Sequence, residues 1–410
     1  MASSIVASLA CAQCRGRDLD TTSGAPAKPP ASAASAMPPL PSSSASVSAS
    51  VPTTWNVRRE ALLVGPDIGA GFGDAVALGD DVLVIGAPAD TIARAGAAYV
   101  YVRRDGAWGM EQKLTAKDGF AGNAFGTAVA LLGETLLVGA PRDRAEGAVY
   151  VYVRRDGRWH LAQKLVGDDN PSGDFFGSAI ALGRRWMMVG ANGGYRSAGA
   201  AYLFERAGET WKLAQKLAPP DDNGAEVESI NFGFAVAVGE ELAAATSLYT
   251  EDYDSPGAVY AFALGPDGFR FTQKLLPEKR ARDDAFGAAL ALEGDTLLVG
   301  ARYRTHRFMH REGRWAESEA LATALVPVVG VAQDALTRPV AVALHGDRAL
   351  AGAGTFFARD AGTFAEVKVL AEPPKAPHSR VPSLAIHDNL AAIGVPREGG
   401  RGAVQVWTLR

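Results

Sequence analysis

Cysteine is nearly absent from this chain. Of 410 residues only Cys11 and Cys14 are cysteines, so thiolate catalysis and cysteine-ligated zinc are excluded from everything that follows them. A positive excess is missing too: 41 Lys and Arg against 45 Asp and Glu leave a formal net charge of −4. That balance argues against a basic nucleic-acid surface or an electrostatic membrane patch. No apolar run is long enough for a transmembrane helix, and patterns with the 3.6-residue helical period are missing. The six histidines, His160, His306, His310, His345, His378 and His387, are scattered, and neither GxSxG nor HExxH occurs. No nucleophile–base–acid set can be assembled from them, so catalysis is not expected.

The N-terminus has its own character. Residues 1–14, "MASSIVASLACAQC", are small and mostly apolar up to Cys11, and read as a truncated lipoprotein signal region with Cys11 as the lipidated residue. The leucine usual in such signals sits one place further upstream than Leu9, and a charged leading segment is missing; a start assigned too late accounts for both. The alternative is a disordered N-terminus without an export role. Residues 15–54 read as a disordered tether, since 28 of the 37 residues from Asp18 to Thr54 are Ala, Ser, Pro or Thr. Such a segment cannot bury enough surface to offset its ordering entropy. Signal and tether together predict export, either to the cell envelope on a lipid anchor or to the extracellular space.

What is abundant is repetition. "FGTAVALLGETLLVGAP" at Phe125 returns as "FGDAVALGDDVLVIGAP" at Phe72, "FGSAIALGRRWMMVGAN" at Phe176, "FGFAVAVGEELAAATS" at Phe232 and "FGAALALEGDTLLVGAR" at Phe286. Weaker copies begin at Arg338 and Pro382. The last apolar residues of the first segments, Leu78, Leu131, Leu182, Val238, Leu292, Leu344 and Ile386, lie 42–56 residues apart. Each copy holds four short apolar segments separated by Gly-rich or charged turns, which is strand chemistry. In the second copy these are Phe125–Leu131, Thr135–Ala140, a segment from Gly147 and one from Trp159, with Asp156-Gly157 as a hairpin signal between the last two. Four strands per repeat of this length make a β-propeller blade. The aromatic that opens the fourth strand recurs as Trp55, Trp108, Trp159, Trp211, Phe269, Trp315 and Phe364. The first precedes the first FG segment, while the last repeat ends without one, so the N-terminal strand is expected to complete the last blade. The fold class is therefore all-β: a seven-bladed β-propeller of four-stranded blades over residues 55–410, its ring closed by the N-terminal strand.

The pattern "FG...AVAL...LLVGAP...GAVYVY" resembles the FG-GAP repeats of the integrin alpha-subunit N-terminal propeller. It is closer to bacterial relatives whose repeats add "W.L.QKL....D". The resemblance covers residues 55–410, with four strong copies, one moderate copy at Phe232 and two degenerate ones. It implies a cell-surface or secreted binding or adhesion module, non-catalytic and monomeric, with a protein or glycan ligand. A propeller enzyme or lectin acting on polysaccharide, and a structural spacer, are the alternatives.

Four features are candidate sites. Gly139-Ala140-Pro141 could suggest a phosphate-binding turn, but it leads into another strand and not into a helix, so Gly126 and Gly139 are expected to serve close strand packing. Integrin-type repeats often carry a calcium-binding DxDxDG loop after the GAP segment; here those loops are short and poor in acids, and only "TEDYDSPG" offers three, Glu251, Asp252 and Asp254, as metal ligands. A second acidic series, Asp67, Asp118, Asp169 and Asp221, follows the fourth strand by a fixed interval. It reads either as turn caps accepting backbone N–H groups or as a ring of carboxylates able to meet cations or sugar hydroxyls. The degenerate copies, with Arg338 and Arg380 in place of the FG aromatic and "RYRTHRFMHR" in place of Gly-Ala-x-Tyr, mark either a ligand site or drift. Solvated side chains are expected for His306 and His310.

Overall fold

The computed structural model describes residues 55–90, 95–167, 174–193, 198–220, 231–248, 257–278, 285–301, 304–322, 341–352, 354–360, 363–370, 382–395 and 400–410. Residues 1–54, on which the expected signal region, Cys11 and the expected tether fall, lie outside them.

The chain enters through β1 (Val57–Val64) and then builds one sheet after another. Blade 1 is β2 (Ala75–Leu78), β3 (Val82–Ala87), β4 (Ala97–Arg104) and β5 (Ala107–Leu114); blade 2 is β6 (Val129–Leu132), β7 (Thr135–Ala140), β8 (Ala148–Arg155) and β9 (Arg158–Leu165). Blade 3 comprises β10 (Phe176–Leu182), β11 (Trp186–Ala191), β12 (Ala200–Ala207) and β13 (Thr210–Leu217), and blade 4 β14 (Val236–Val238), β15 (Leu242–Ser247), β16 (Ala258–Gly265) and β17 (Gly268–Leu275). Blade 5 follows with β18 (Ala289–Glu293), β19 (Thr296–Gly300), β20 (Arg304–Arg311) and β21 (Arg314–Ala322), then blade 6 with β22 (Ala341–His345), β23 (Arg348–Gly352), β24 (Thr355–Asp360) and β25 (Thr363–Val369). Blade 7 takes β26 (Ser383–His387), β27 (Leu390–Val395) and β28 (Ala403–Leu409) from the C-terminus and β1 as its outer strand, paired from Val57↔Leu409 to Val64↔Ala403. Every strand pairing within a blade is antiparallel, isolated parallel bridges such as Gly96↔Phe125 join successive blades, and the first strand of each blade packs on the first strand of the next, β26 on β2 included. This is the expected ring of seven four-stranded blades with the expected closure.

Local sequence explains the strands. First and second strands are buried along their length, as in Val82–Ala87 and Thr135–Ala140, and read as unbroken apolar runs because both faces are covered by neighbouring blades. The hairpin between third and fourth strands of blade 2 places Asp156 at φ 51 and Gly157 at φ 73, the left-handed pair that matches strand twist. One expectation shifts: the first strand of blade 2 begins at Val129 and not at Phe125. Gly126 stands at φ 95, and the Phe125 amide donates to the Ala95 carbonyl of blade 1 at 2.8 Å, so the FG dipeptide turns onto the preceding blade before the strand starts. The phenyl rings stay in the core, edge-on to the tyrosine of the third strand: Phe125–Tyr150 centroids are 5.2 Å apart and Phe72–Tyr99 5.4 Å.

Blades meet in two layers. Near the axis, a Cβ on Gly139 would stand 2.1 Å from the Gly177 carbonyl oxygen of blade 3, so only glycine permits that approach. On the periphery, the glutamine of "QKL" clamps the next blade. Gln112 Nε2 donates to the Trp159 carbonyl and Gln112 Oε1 accepts from the Trp159 amide, each at 2.9 Å. Gln163 holds Trp211, Gln215 holds Phe269 and Gln273 holds Trp315 in the same two-bond manner.

Deleting residues 55–64 strips blade 7 of its outer strand and exposes the length of β28. We expect loss of the cooperative thermal transition by circular dichroism; an unchanged melting temperature would contradict closure by β1.

Candidate functional site

Because the strands alternate in direction, the loops joining second to third strands and those crossing from one blade to the next emerge on one face. At the base of that face, blades 1 and 2 share one arrangement of Asp, Tyr and Lys. In blade 2 the Tyr150 hydroxyl donates to Asp143 Oδ2 at 2.9 Å, and its oxygen lies 2.8 Å from Asp118 Oδ1. Lys164 Nζ reaches Asp118 Oδ2 and Asp143 Oδ2, both at 2.5 Å, and stands 5.0 Å from the Tyr150 ring centroid. In blade 1 the Tyr99 hydroxyl donates to Asp90 Oδ2 at 2.6 Å, and Lys113 Nζ pairs with that oxygen at 2.8 Å, 5.1 Å from the Tyr99 ring. Blades 3 and 4 keep the lysine over the tyrosine, Lys216 on Tyr202 at 5.4 Å and Lys274 on Tyr260 at 5.1 Å.

Position in the strand pair explains the stacking. Tyr150 and Lys164 are directly opposite across β8 and β9, as are Tyr99 and Lys113 across β4 and β5, so phenol and ammonium meet without distortion. Asp90 and Asp143 are almost fully buried, which makes their pairing obligatory. Burial and the neighbouring carboxylates push the Tyr99 and Tyr150 hydroxyls far above the ordinary phenol range, leaving both as permanent donors. The Lys164 contact, and secondarily the Tyr150 hydroxyl, hold Asp118 below the usual carboxylate range against the opposing effect of burial. For Lys164 burial opposes the charge, but Asp118 and Asp143 outweigh it and raise its pKa.

The acidic series of the sequence thus separates. Asp118 carries a side-chain network with Tyr150 and Lys164 of the following blade, and the cation it meets belongs to the chain itself. Asp67 acts electrostatically on Tyr99 from the equivalent loop of blade 1. Asp169 and Asp221 lie outside the described residues, as do Glu251, Asp252, Asp254, Arg338 and Arg380. In the post-GAP loops of blades 1 and 2, Asp90 and Asp143 lie within 2.8 Å of the Lys113 and Lys164 ammonium groups. Sequence reasoning passed over these two aspartates, the tyrosines and the lysines; the signal was present in the joint recurrence of Gly-Ala-x-Tyr and Gln-Lys-Leu.

The expectation for His306 needs correction. His306 is 2% exposed: it replaces the core tyrosine in blade 5, sits edge-on to Phe286 at 5.1 Å and places Nδ1 2.6 Å from Glu317 Oε1. His310 packs beside Trp315 with centroids 5.0 Å apart. Nor are all the histidines scattered, since His345 and His387 bring their rings to 4.9 Å on the opposite face.

Ring, blade composition and inter-blade glycine contacts define a seven-bladed β-propeller. The FG-GAP repeat pattern matches residues 59–101, 108–152, 159–204 and 269–313, each match running from an outer strand to the third strand of the next blade. The chain carries FG-GAP repeats in four places of a seven-bladed propeller, consistent with an integrin-alpha-like FG-GAP propeller. Among solved structures, it is similar to a candidate 6-phosphogluconolactonase from Bacteroides uniformis, at 11% identity and a TM-score of 0.45 over 70% of this chain and 81% of that one. A likeness of that size carries no functional argument. Among the described residues no helix is long and apolar enough to cross a membrane.

Replacing Lys164 by Met leaves the buried Asp143 short of a partner and should destabilise the fold by about 1–3 kcal/mol in urea titrations. Asp118 has a lowered folded pKa, so its contribution is present above the unfolded value of about 3.9 and fades as pH falls through the folded one. Lys164 has a raised folded pKa, so its contribution is complete below about 10.4 and fades as pH climbs through the folded value. Lys164→Met should flatten both limbs of the stability–pH curve; parallel curves for variant and parent would remove the network from the account.

Proposed function

We propose that this protein is a non-catalytic, monomeric binding or adhesion module of the cell surface or extracellular space, with a protein or glycan as ligand. One observation carries the reading: on the face above the Asp–Tyr–Lys bases, loop length varies sharply while the supporting strands do not. Second and third strands are joined by 88–96, 141–147, 192–199, 248–257 and 396–402 in blades 1–4 and 7, but by only 301–303 and 353–354 in blades 5 and 6. A rigid scaffold whose connecting segments differ in length from blade to blade is suited to recognition. The spacer reading predicts no use for such variation, and a propeller enzyme or lectin acting on polysaccharide would use the same face.

Glycan-array and envelope-protein binding assays on the full chain should give a signal that falls when 248–257 is shortened to the length found in blade 6. No signal in either assay favours the spacer, and release of sugar from a polysaccharide favours the enzyme.

Export on a lipid anchor at Cys11 belongs to the same proposal, supported by the apolar residues before that cysteine and the tether after it. Cys11→Ser should move the protein from the membrane fraction to the soluble one; identical fractionation would refute the anchor.

A further inference from the structure

The inter-blade clamps are unevenly distributed. Glutamine grips the next blade at the four interfaces from blade 1 to blade 5. At the remaining three interfaces the aligned positions hold Glu319, Lys368 and Ala61, none of which can make both bonds. Across the interface Glu319 Oε1 accepts from the Phe364 amide at 3.3 Å, and Lys368 Nζ donates to the Val57 carbonyl at 3.2 Å. Those same three interfaces are bridged by side chains at the turns between first and second strands, which ring the mouth of the central channel on the face opposite the long loops. Glu293 Oε2 of blade 5 accepts from the Gly346 amide of blade 6 at 2.7 Å. His345 Nε2 of blade 6 lies 3.0 Å from Asp388 Oδ1 of blade 7, and His387 Nε2 of blade 7 lies 2.8 Å from Asp80 Oδ1 of blade 1.

The last two bridges converge. Asp80, His387 and Asp388 each offer a ligand atom, and all three atoms lie within 4.8 Å of one another. We propose that these three residues bind a borderline divalent cation of the zinc type at the channel mouth between blades 7 and 1, with His345 orienting Asp388. One imidazole and two carboxylates suit such an ion, whereas calcium calls for six or more oxygens. Bonds of about 2.0–2.2 Å to a tetrahedral ion set its ligand atoms roughly 3.3 Å apart, so small rotations of the two carboxylates would admit the metal in place of the proton now joining His387 to Asp80. The donors are also presented for it. Both imidazoles are largely enclosed, with side chains 14% and 18% exposed, while Asp80 and Asp388 are 85% and 70% exposed, so a buried nitrogen meets carboxylates open to incoming ions. Arg348 donates to the Asp388 main-chain oxygen and lies 5.3 Å from the Trp55 ring, an engagement that leaves the Asp388 carboxylate to the histidines.

The backbone marks the same spot. Asp388 adopts φ 46, while the aligned turn positions in blades 2, 5 and 6 are Gly133, Gly294 and Gly346 at φ 55, 54 and 57. A side chain has been placed where three sister blades avoid one. A ligating carboxylate is itself ordinarily held by a hydrogen bond, the part that His345 plays for Asp388. With three protein ligands the ion keeps an open position facing the channel.

Isothermal titration of the full chain, carrying no polyhistidine tag, with zinc chloride should show one site per chain, and calcium chloride should give no heat at that site. Asp80→Asn, at an exposed position that leaves folding intact, and His387→Gln should each weaken zinc at least about 10–100-fold, while His160→Gln should not change it. His345→Ala should weaken zinc, and His345→Gln, which keeps a donor for Asp388, should restore most of the loss. Absence of a zinc site in the parent, or zinc affinity unmoved by both Asp80→Asn and His387→Gln, would overturn the proposal.

Discussion

The ring depends on how closely two sheets can approach at their inner edges. Seven blades around one axis leave the first and second strands almost no room, and the chain meets this with backbone against backbone. Gly86, Gly139 and Gly190 each face the carbonyl of the FG glycine of the next blade, Gly126, Gly177 and Gly233, where an added Cβ would stand 2.1 Å away. A methyl group at any of these three glycines would run into that oxygen, whereas between blades 4 and 5 the aligned position is Thr246, whose side chain lies against Gly287 of the next blade. The FG and GAP elements are therefore two halves of a single contact, contributed by successive copies.

Once the inner contact is fixed, the outer edge needs a register. Glutamine supplies it by bonding both main-chain groups of the aromatic residue that opens the next fourth strand. The two bonds satisfy polar groups on an outer strand edge that would otherwise face solvent or a second molecule. Blades 5, 6 and 7 depart from this plan together. Their interfaces replace the two-bond glutamine with single outer contacts, Glu319 with the Phe364 amide, Lys368 with the Val57 carbonyl and Glu60 with Arg103, and add polar bridges at the channel mouth, from Glu293 through His345 and His387 to Asp80. Degeneracy in the later copies is thus not simple decay: a thinner outer register is supplemented inside. His306 follows the same logic, since it fills the core position of the tyrosine but turns its nitrogen to Glu317.

Most of the architecture was legible in the sequence because it repeats. Seven returns of one pattern fix blade number, strand count and closure far more firmly than any one segment could. The Asp–Tyr–Lys cluster was harder to read. Its members are individually ordinary: Asp143 and Tyr150 are seven residues apart, but Asp118 and Lys164 are 46 apart and lie in different blades. Spacing along the chain identifies Asp118 as a recurring acid without showing what it faces, and a turn cap and a charge network demand the same residue type. The pairing of His345 with His387 was hidden for the related reason that two positions in successive degenerate copies become neighbours only once the blades stack on one another.

A lysine at the base of the loops sets how the upper face is secured. A bound cation must be captured from solution, and its hold on the loop varies with its concentration. Lys113 and Lys164 are carried on the outer strands of their own blades, so the charge that gathers Asp90, or Asp118 and Asp143, arrives with folding and at a fixed stoichiometry. The cost is reach: an ammonium offers three donors along restricted directions, where an ion could draw six or more oxygens around itself. That limit accounts for the small size of the clusters and for the tyrosine at the centre of each, whose hydroxyl and ring face supply the interactions that a larger ligand shell would otherwise provide. The loop bases are thereby held by the chain itself, and the segments above them are free to differ from blade to blade.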